Sequence, residues 1–334
     1  MAISADQVSL ALDFPLFVLG AGVSLGASGI LVVRLERIAK RYGLTETALG
    51  LLAALAADAP EISSSVAALI HHDQGISVGI VVGSNLFNLA MLLGLAAVLA
   101  SPLALGRPLT LVEGVPATAL AVIIACMVAR WISPVLALVA VLVVVVPYVA
   151  LVVLGPSGLS PRLSFGRTIA SALEAETSDV DLIVHVAPAS GLDLGAALLA
   201  VVGVVAASAV MEGAAVRLGA HFHLSALVVG GLVLAAVTSI PNVVAALYLS
   251  RRRRAAALVS EASNSNTLNV LFGLAIPAVI LGSHAAGSLM IGFFYVGLTA
   301  FAYVGIWLAR GMRRSIGFGL LAGYAAFVVL AVAR

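Results

Sequence analysis

Residues 50–61, GLLAALAADAPE, and residues 231–242, GLVLAAVTSIPN, lie 181 positions apart and decide how this chain folds. At that same offset, GSNLFN at 83–88 matches NSNTLN at 264–269. Tyr42–Asn88 therefore aligns with His223–Asn269 without a gap. Gly50 pairs with Gly231, Ala54 with Ala235 and Pro60 with Pro241; Ser84, Asn85 and Asn88 pair with Ser265, Asn266 and Asn269. Matching polar residues at one fixed spacing, inside otherwise apolar sequence, mark an internal repeat.

The surrounding composition identifies the solvent. The chain is 62% hydrophobic and 10% charged, whereas soluble domains average about 25% charged. A water-soluble core of this size could not hide so much apolar surface, so the bilayer is the expected environment. The single cysteine, Cys126, leaves no internal disulfide to form. With Asp6 and Asp13 near the N-terminus in place of a basic segment, no cleavable signal peptide is expected.

Apolar stretches of roughly 20 residues, enough to cross about 30 Å of hydrocarbon, can be placed at about 14–34, 46–70, 75–100, 109–129, 133–154, 191–216, 224–250, 255–282, 286–309 and 315–333. The expected fold is an all-α membrane protein of ten transmembrane helices. Residues 1–154 form the first five-helix repeat and 191–334 the second, joined by a cytoplasmic linker at 155–190. The repeated segments themselves cover about 42–100 and 223–282. Lys/Arg bias orients the whole. With the N-terminus outside, Arg34, Arg37, Lys40, Arg41, Arg107, Arg162, Arg167, Arg251 to Arg254, Arg310, Arg313 and Arg314 fall inside, leaving Arg130, Arg217 and Arg334 outside. Such clean alternation supports an N-out, C-out topology. Five spans per half invert the second half relative to the first, an architecture whose ion sites lie near the midplane.

Pro60 and Pro241 lie deep within the second and seventh spans. Proline lacks an N–H, so the carbonyls of Ala56 and Val237 lose their helical partners, and in hydrocarbon such groups must be satisfied otherwise. A lone proline reads as a kink. Two at equivalent positions, each flanked by polar side chains, read as a site. Asp58 and Glu61 share one helix face at i, i+3 spacing, and carboxylates inside a membrane mark ion or proton paths. Hard oxygen ligands suit Ca²⁺, Na⁺ or Mg²⁺. The second half offers neutral Ser239 and Asn242 at these positions. Ser84 and Asn88, one turn apart, and likewise Ser265 and Asn269, form the expected second wall. Glu261 shares the face of Ser265 and Asn269; it reads equally as an inner-vestibule carboxylate and as a solvated helix end. Glu212 is read as structurally incidental, and Glu113 and Asp193 as charges at helix N-termini.

These residues resemble the cation/calcium exchanger superfamily, most closely its sodium/calcium exchanger group. That family carries two inverted alpha repeats with a G-T-S-x-P-E type motif followed by G-S-N-x-x-N. Here the motifs read A-A-D-A-P-E (Ala56 to Glu61) and V-T-S-I-P-N (Val237 to Asn242), followed by G-S-N-L-F-N and N-S-N-T-L-N. The resemblance implies that Glu61, Ser84, Asn88, Ser239, Ser265 and Asn269 coordinate ions, with backbone carbonyls near Ala57 and Thr238. It also implies alternating access by sliding of spans one and six. The chain departs from the family at three positions: the second-repeat glutamate is Asn242, an often acidic position is Asn269, and a first-repeat serine is Asp58. The site charge becomes −2, all on one helix, with Asp58, Glu61 and Asn242 among its members.

The expected function is secondary antiport of Ca²⁺ or a similar cation against Na⁺ or H⁺, in a prokaryotic-type inner membrane, with small inorganic cations and lipid as partners and no resident cofactor. A proton-coupled monovalent antiporter (Na⁺ or K⁺ against H⁺) is the alternative. An intramembrane enzyme using Asp58 and Glu61 as acid and base would need a nucleophile or metal cluster, and would leave the duplication unexplained. A passive channel would conduct without a counter-ion. No phosphate-binding loop suggests ATP drive. Arg251 to Arg254 reads as a lipid-headgroup cluster rather than a nucleic-acid surface. His71, His72, His221 and His223 read as loop residues, and Glu174, Glu176, Asp179 and Asp181 as part of a solvated connector.

Overall fold

The computed structural model describes residues 5–41, 52, 54–154, 192–283 and 288–333. The proposed 155–190 linker and the Gly50 end of the first motif lie outside the described residues. In a medium without water only structures that satisfy their own backbone can span, and the described chain is correspondingly helical. In chain order the helices are α1 (Ala5–Arg41), α2 (Ala59–Ile70, preceded by helical residues 54–57), α3 (Gln74–Ala100), α4 (Arg107–Val128) and α5 (Pro134–Leu154). The second half contributes α6 (Leu192–His221), α7 (Ala226–Thr238), α8 (Ile240–Arg251), α9 (255–280), α10 (Leu289–Ala309) and α11 (Arg314–Val332). Two short strands, β1 (Leu103–Ala104) and β2 (Gly311–Met312), form an antiparallel ladder between loops of the two halves.

Among the described residues, six helices are long and apolar enough to cross a membrane: α1, α3, α4, α6, α10 and α11. The bent pair α7–α8 makes a seventh. Two shorter apolar helices, α2 and Pro134–Ala150 of α5, accompany them. Helix α9 is missing from this set because 260–269 is nearly all Ser, Asn, Thr and Glu, and those side chains face the protein interior.

The packing pairs equivalent elements of the two halves. Helix α1 runs along α6 and α4 along α10, while α3 crosses α7 and α2 crosses α9. First meets first, fourth meets fourth, and second meets third in both directions, as an internal pseudo-two-fold axis requires. Outer helices present large apolar side chains such as Leu19, Val143, Leu199 and Phe293 to their surroundings, whereas α3 is almost wholly enclosed.

Three irregularities shape the centre. Helical structure is interrupted at Asp58 and at Ser239, positions related by the repeat offset, and α7 and α8 are bent by 49° across the second break. Residues Leu89–Leu95, Val229–Leu234 and Asn269–Ala275 wind as π-helix, a geometry frequent at functional sites. The α3–α7 crossing is made by glycines. A methyl group at Gly83 would come within 2.6 Å of Gly231 Cα, and one at Gly79 within 2.9 Å of Gly231 N. Backbone cannot step aside as a side chain can. Gly83→Ala should therefore cost about 1–3 kcal/mol and lower the thermal unfolding midpoint in detergent. Gly22→Ala on α1, where a methyl meets nothing within 4 Å, should leave it unchanged.

Candidate cation site

The two helix breaks and the residues where two of the π-helical segments begin, Asn88 and Asn269, converge on one polar cluster. Asp58 caps α2 and Glu61 lies in its first turn, directly after Pro60. Both carboxylates are only 1% exposed. Among the described residues no Lys, Arg or His forms an ion pair with either. Neutral groups surround them instead. Ser265 Oγ donates to Asp58 Oδ1 at 2.8 Å, and Asn242 Nδ2 donates to the same oxygen at 3.3 Å. Glu61 accepts from Ser239 Oγ at Oε1 and from Asn269 Nδ2 at Oε2, and Ser84 sits beside it. Asn88 closes the ring: it accepts from Asn242 at 3.1 Å and donates to Ser265 Oγ at 3.0 Å.

Eight of the side chains singled out in the sequence thus meet across the repeat interface: Asp58, Glu61, Ser84, Asn88, Ser239, Asn242, Ser265 and Asn269. The other two positions differ. The Ala57 carbonyl accepts from Ser28 Oγ at 3.4 Å. The Thr238 hydroxyl turns back to its own helix, donating to the Leu234 carbonyl at 2.9 Å. Glu261 is half-buried on the same face of α9, close enough for its charge to act on Asp58. Among the described residues, two oxygens of the cluster have no hydrogen-bond partner: Asp58 Oδ2 and Asn269 Oδ1. Buried polar atoms are rarely left so, and oxygens are what a hard cation requires.

The carbonyls freed by the prolines find different partners. Ser28 of α1 donates to the Ala56 carbonyl at 2.8 Å, whereas the Val237 carbonyl is taken by a backbone N–H of the turn at Ser239. The first break is therefore held by a side chain from another helix, a contact with no sequence signal beyond a serine in an apolar run. Asn85 and Asn266, paired by the repeat, meet at its axis. Each donates its amide to the other's backbone carbonyl, at 3.2 and 3.3 Å, and Asn85 also donates to Tyr295 Oη at 2.8 Å.

Two acidic residues, Glu113 and Glu212, behave differently from the expectation, and a third, Asp193, matches it. Glu113 is not a helix-start charge: α4 begins at Arg107, and Glu113 is buried, bonded by Tyr148 Oη and Ser260 Oγ at 2.9 Å each. Glu212 is fully buried and 3.0 Å from His71 Nδ1 at the end of α2. Asp193 does lie in the first turn of α6, where it also binds Arg34 at 2.6 Å. That ion pair, with Asp13–Arg217 at 2.7 Å and Ser24–Ser208 at 2.7 Å, laces α1 to α6 along their length.

Buried oxygens gathered at interrupted helices of the two halves give this pocket the chemistry of a small-cation site in a membrane protein. The family described as sodium/calcium exchanger protein matches residues 12–155 and 192–333, and the chain belongs to that family. The Sodium/calcium exchanger MaX1 of Methanosarcina acetivorans is 37% identical over 91 residues, and CaxA of Alkalimonas amylolytica is 30% identical over 84. Each match covers about a quarter of the relative's length, 26%. Among solved structures, the sodium-calcium exchanger NCX_Mj soaked with 2.5 mM Na⁺ and 10 mM Sr²⁺ superposes with a TM-score of 0.61. The overlap covers 96% of this chain and 99% of that one at 21% identity. The same exchanger soaked with zero Na⁺ and Ca²⁺ gives 0.56. At this identity the likeness is one of fold.

Asp58→Asn and Glu61→Gln should each reduce cation exchange in proteoliposomes to near background. Robust transport by either variant would place the ion elsewhere.

Proposed function

We propose that this chain exchanges Ca²⁺, or a cation of similar charge and size, for Na⁺ or H⁺ by alternating access. The pocket consists of Asp58, Glu61, Ser84, Asn88, Ser239, Asn242, Ser265 and Asn269, with carbonyls at Ala57 and Thr238 completing it. In this reading ten spans cross a prokaryotic-type inner membrane with both termini outside, and α2 and α9 count among them. The carrying observation is a pair of enclosed carboxylates hydrogen-bonded only by neutral groups, with two oxygens unpartnered among the described residues.

The coupling follows from charge. One divalent cation, two monovalent cations or two protons neutralise a −2 pocket. Closing it empty would leave two uncompensated carboxylates in low dielectric, at several kcal/mol each. The empty carrier therefore crosses poorly and a loaded one readily, which makes exchange obligatory. The amides of Asn88, Asn242 and Asn269 suit the task because each presents either N–H or C=O. Groups that hydrogen-bond the carboxylates can turn their oxygens toward a cation. The lacing of α1 to α6 supports movement of those two helices as one body, with Ser28–Ala56 and His71–Glu212 as contacts that must exchange.

The neutral residues at Asn242 and Asn269 favour a second reading, a monovalent cation/H⁺ antiporter. Reconstitution with imposed Na⁺, H⁺ or K⁺ gradients, following Ca²⁺ and Na⁺ uptake, separates the two. Ca²⁺ uptake driven by an opposing Na⁺ or H⁺ gradient is expected. Na⁺ or K⁺ movement against H⁺ without Ca²⁺ would establish the second reading. Protons compete with metal for the pocket, so flux should fall as pH falls. A rate constant across roughly pH 5 to 9 would remove protons from the mechanism.

A further inference from the structure

Away from the pocket, a cavity of about 760 Å³ opens between α4 and α10 on the outer face of the helix assembly. Its walls are apolar: Leu111, Val115, Ala119, Val122, Val304 and Trp307 are among them. The two helices touch closely at Gly114, where a methyl group would come within 2.7 Å of Tyr303 Cβ, and the cavity follows this seam. Thr110 and Ile123 both line it, so it extends about 20 Å along α4, more than half of the roughly 30 Å hydrocarbon core.

One end is basic. Arg107, at the start of α4, stacks on Trp307 with its guanidinium carbon 4.6 Å from the ring centroid, and its Nε lies 3.4 Å from the Trp307 carbonyl. The Trp307 indole N–H has no acceptor among the described residues. The β1–β2 ladder joins the chain just before Arg107 to the turn that carries Arg310, Arg313 and Arg314. All four arginines are exposed, and none has an acidic partner among the described residues.

We propose that this groove is a binding site for one anionic phospholipid. An acyl chain lies along the α4–α10 seam, and the phosphate sits at Arg107 with Arg310, Arg313 and Arg314 around it. Charge complementarity selects the occupant. A neutral lipid would fill the groove and leave four cations uncompensated, and a second copy of the chain would set arginine against arginine.

The test is native mass spectrometry of the full chain in detergent, with phosphatidylglycerol or phosphatidylcholine added at equal concentration. Preferential retention of one phosphatidylglycerol is expected. Arg107→Gln should weaken it about fivefold, the effect of one surface arginine on an anionic lipid, and leave phosphatidylcholine unchanged. Val115→Trp fills the groove from a residue already 60% exposed. It should weaken phosphatidylglycerol binding about tenfold or more, because each excluded methylene costs about fourfold. A thermal melt verifies that each variant is folded. Equal binding of the two lipids overturns the proposal, as does retention unaffected by both variants, or a lipid-free dimer that Val115→Trp dissociates.

Discussion

A carboxylate inside a bilayer must have its charge compensated, and Asp58 and Glu61 place two of them where the described protein offers no cation of its own. Much of the centre of the molecule follows from that demand. Helix breaks bring backbone and side-chain oxygens to the same depth. Serines and asparagines supply hydrogen bonds without cancelling the charge. Helix α9, which carries Ser265 and Asn269, sits inside the assembly because its polar face could not meet lipid.

The two halves divide this work unequally. The first repeat contributes the charge, through Asp58 and Glu61. The second contributes neutral donors, through Ser239, Asn242, Ser265 and Asn269. Between them the reciprocal Asn85–Asn266 pair and the glycine crossing of α3 with α7 hold the halves in register. Two halves with related backbones can thus build one asymmetric pocket, because the repeat preserves where the helices break rather than which residue stands there.

Much of this was legible in the sequence, since it depends on local chemistry repeated at a fixed spacing. Pro60 and Pro241 mark the breaks, and the Ser/Asn pairs at 84 and 88 and at 265 and 269 mark the facing helices. What was illegible depends on contacts between segments that share no periodic signal. Ser28 looks like any small residue in an apolar helix, yet it holds the Ala56 carbonyl. Glu113 looks like a helix-start charge because it stands near the start of an apolar stretch, but α5 and α9 bring Tyr148 and Ser260 onto it. Glu212 is unremarkable until α2 ends with His71 beside it. Helix α9 eludes a hydropathy reading because residues 260–269 are nearly all polar.

The most direct measurement is an anomalous-scattering map of crystals soaked with Sr²⁺. A single strong peak among Asp58, Glu61, Asn242 and Asn269, lost in Glu61→Gln, is the expected result. A peak remote from these residues, or none at saturating Sr²⁺, would contradict cation binding by this pocket.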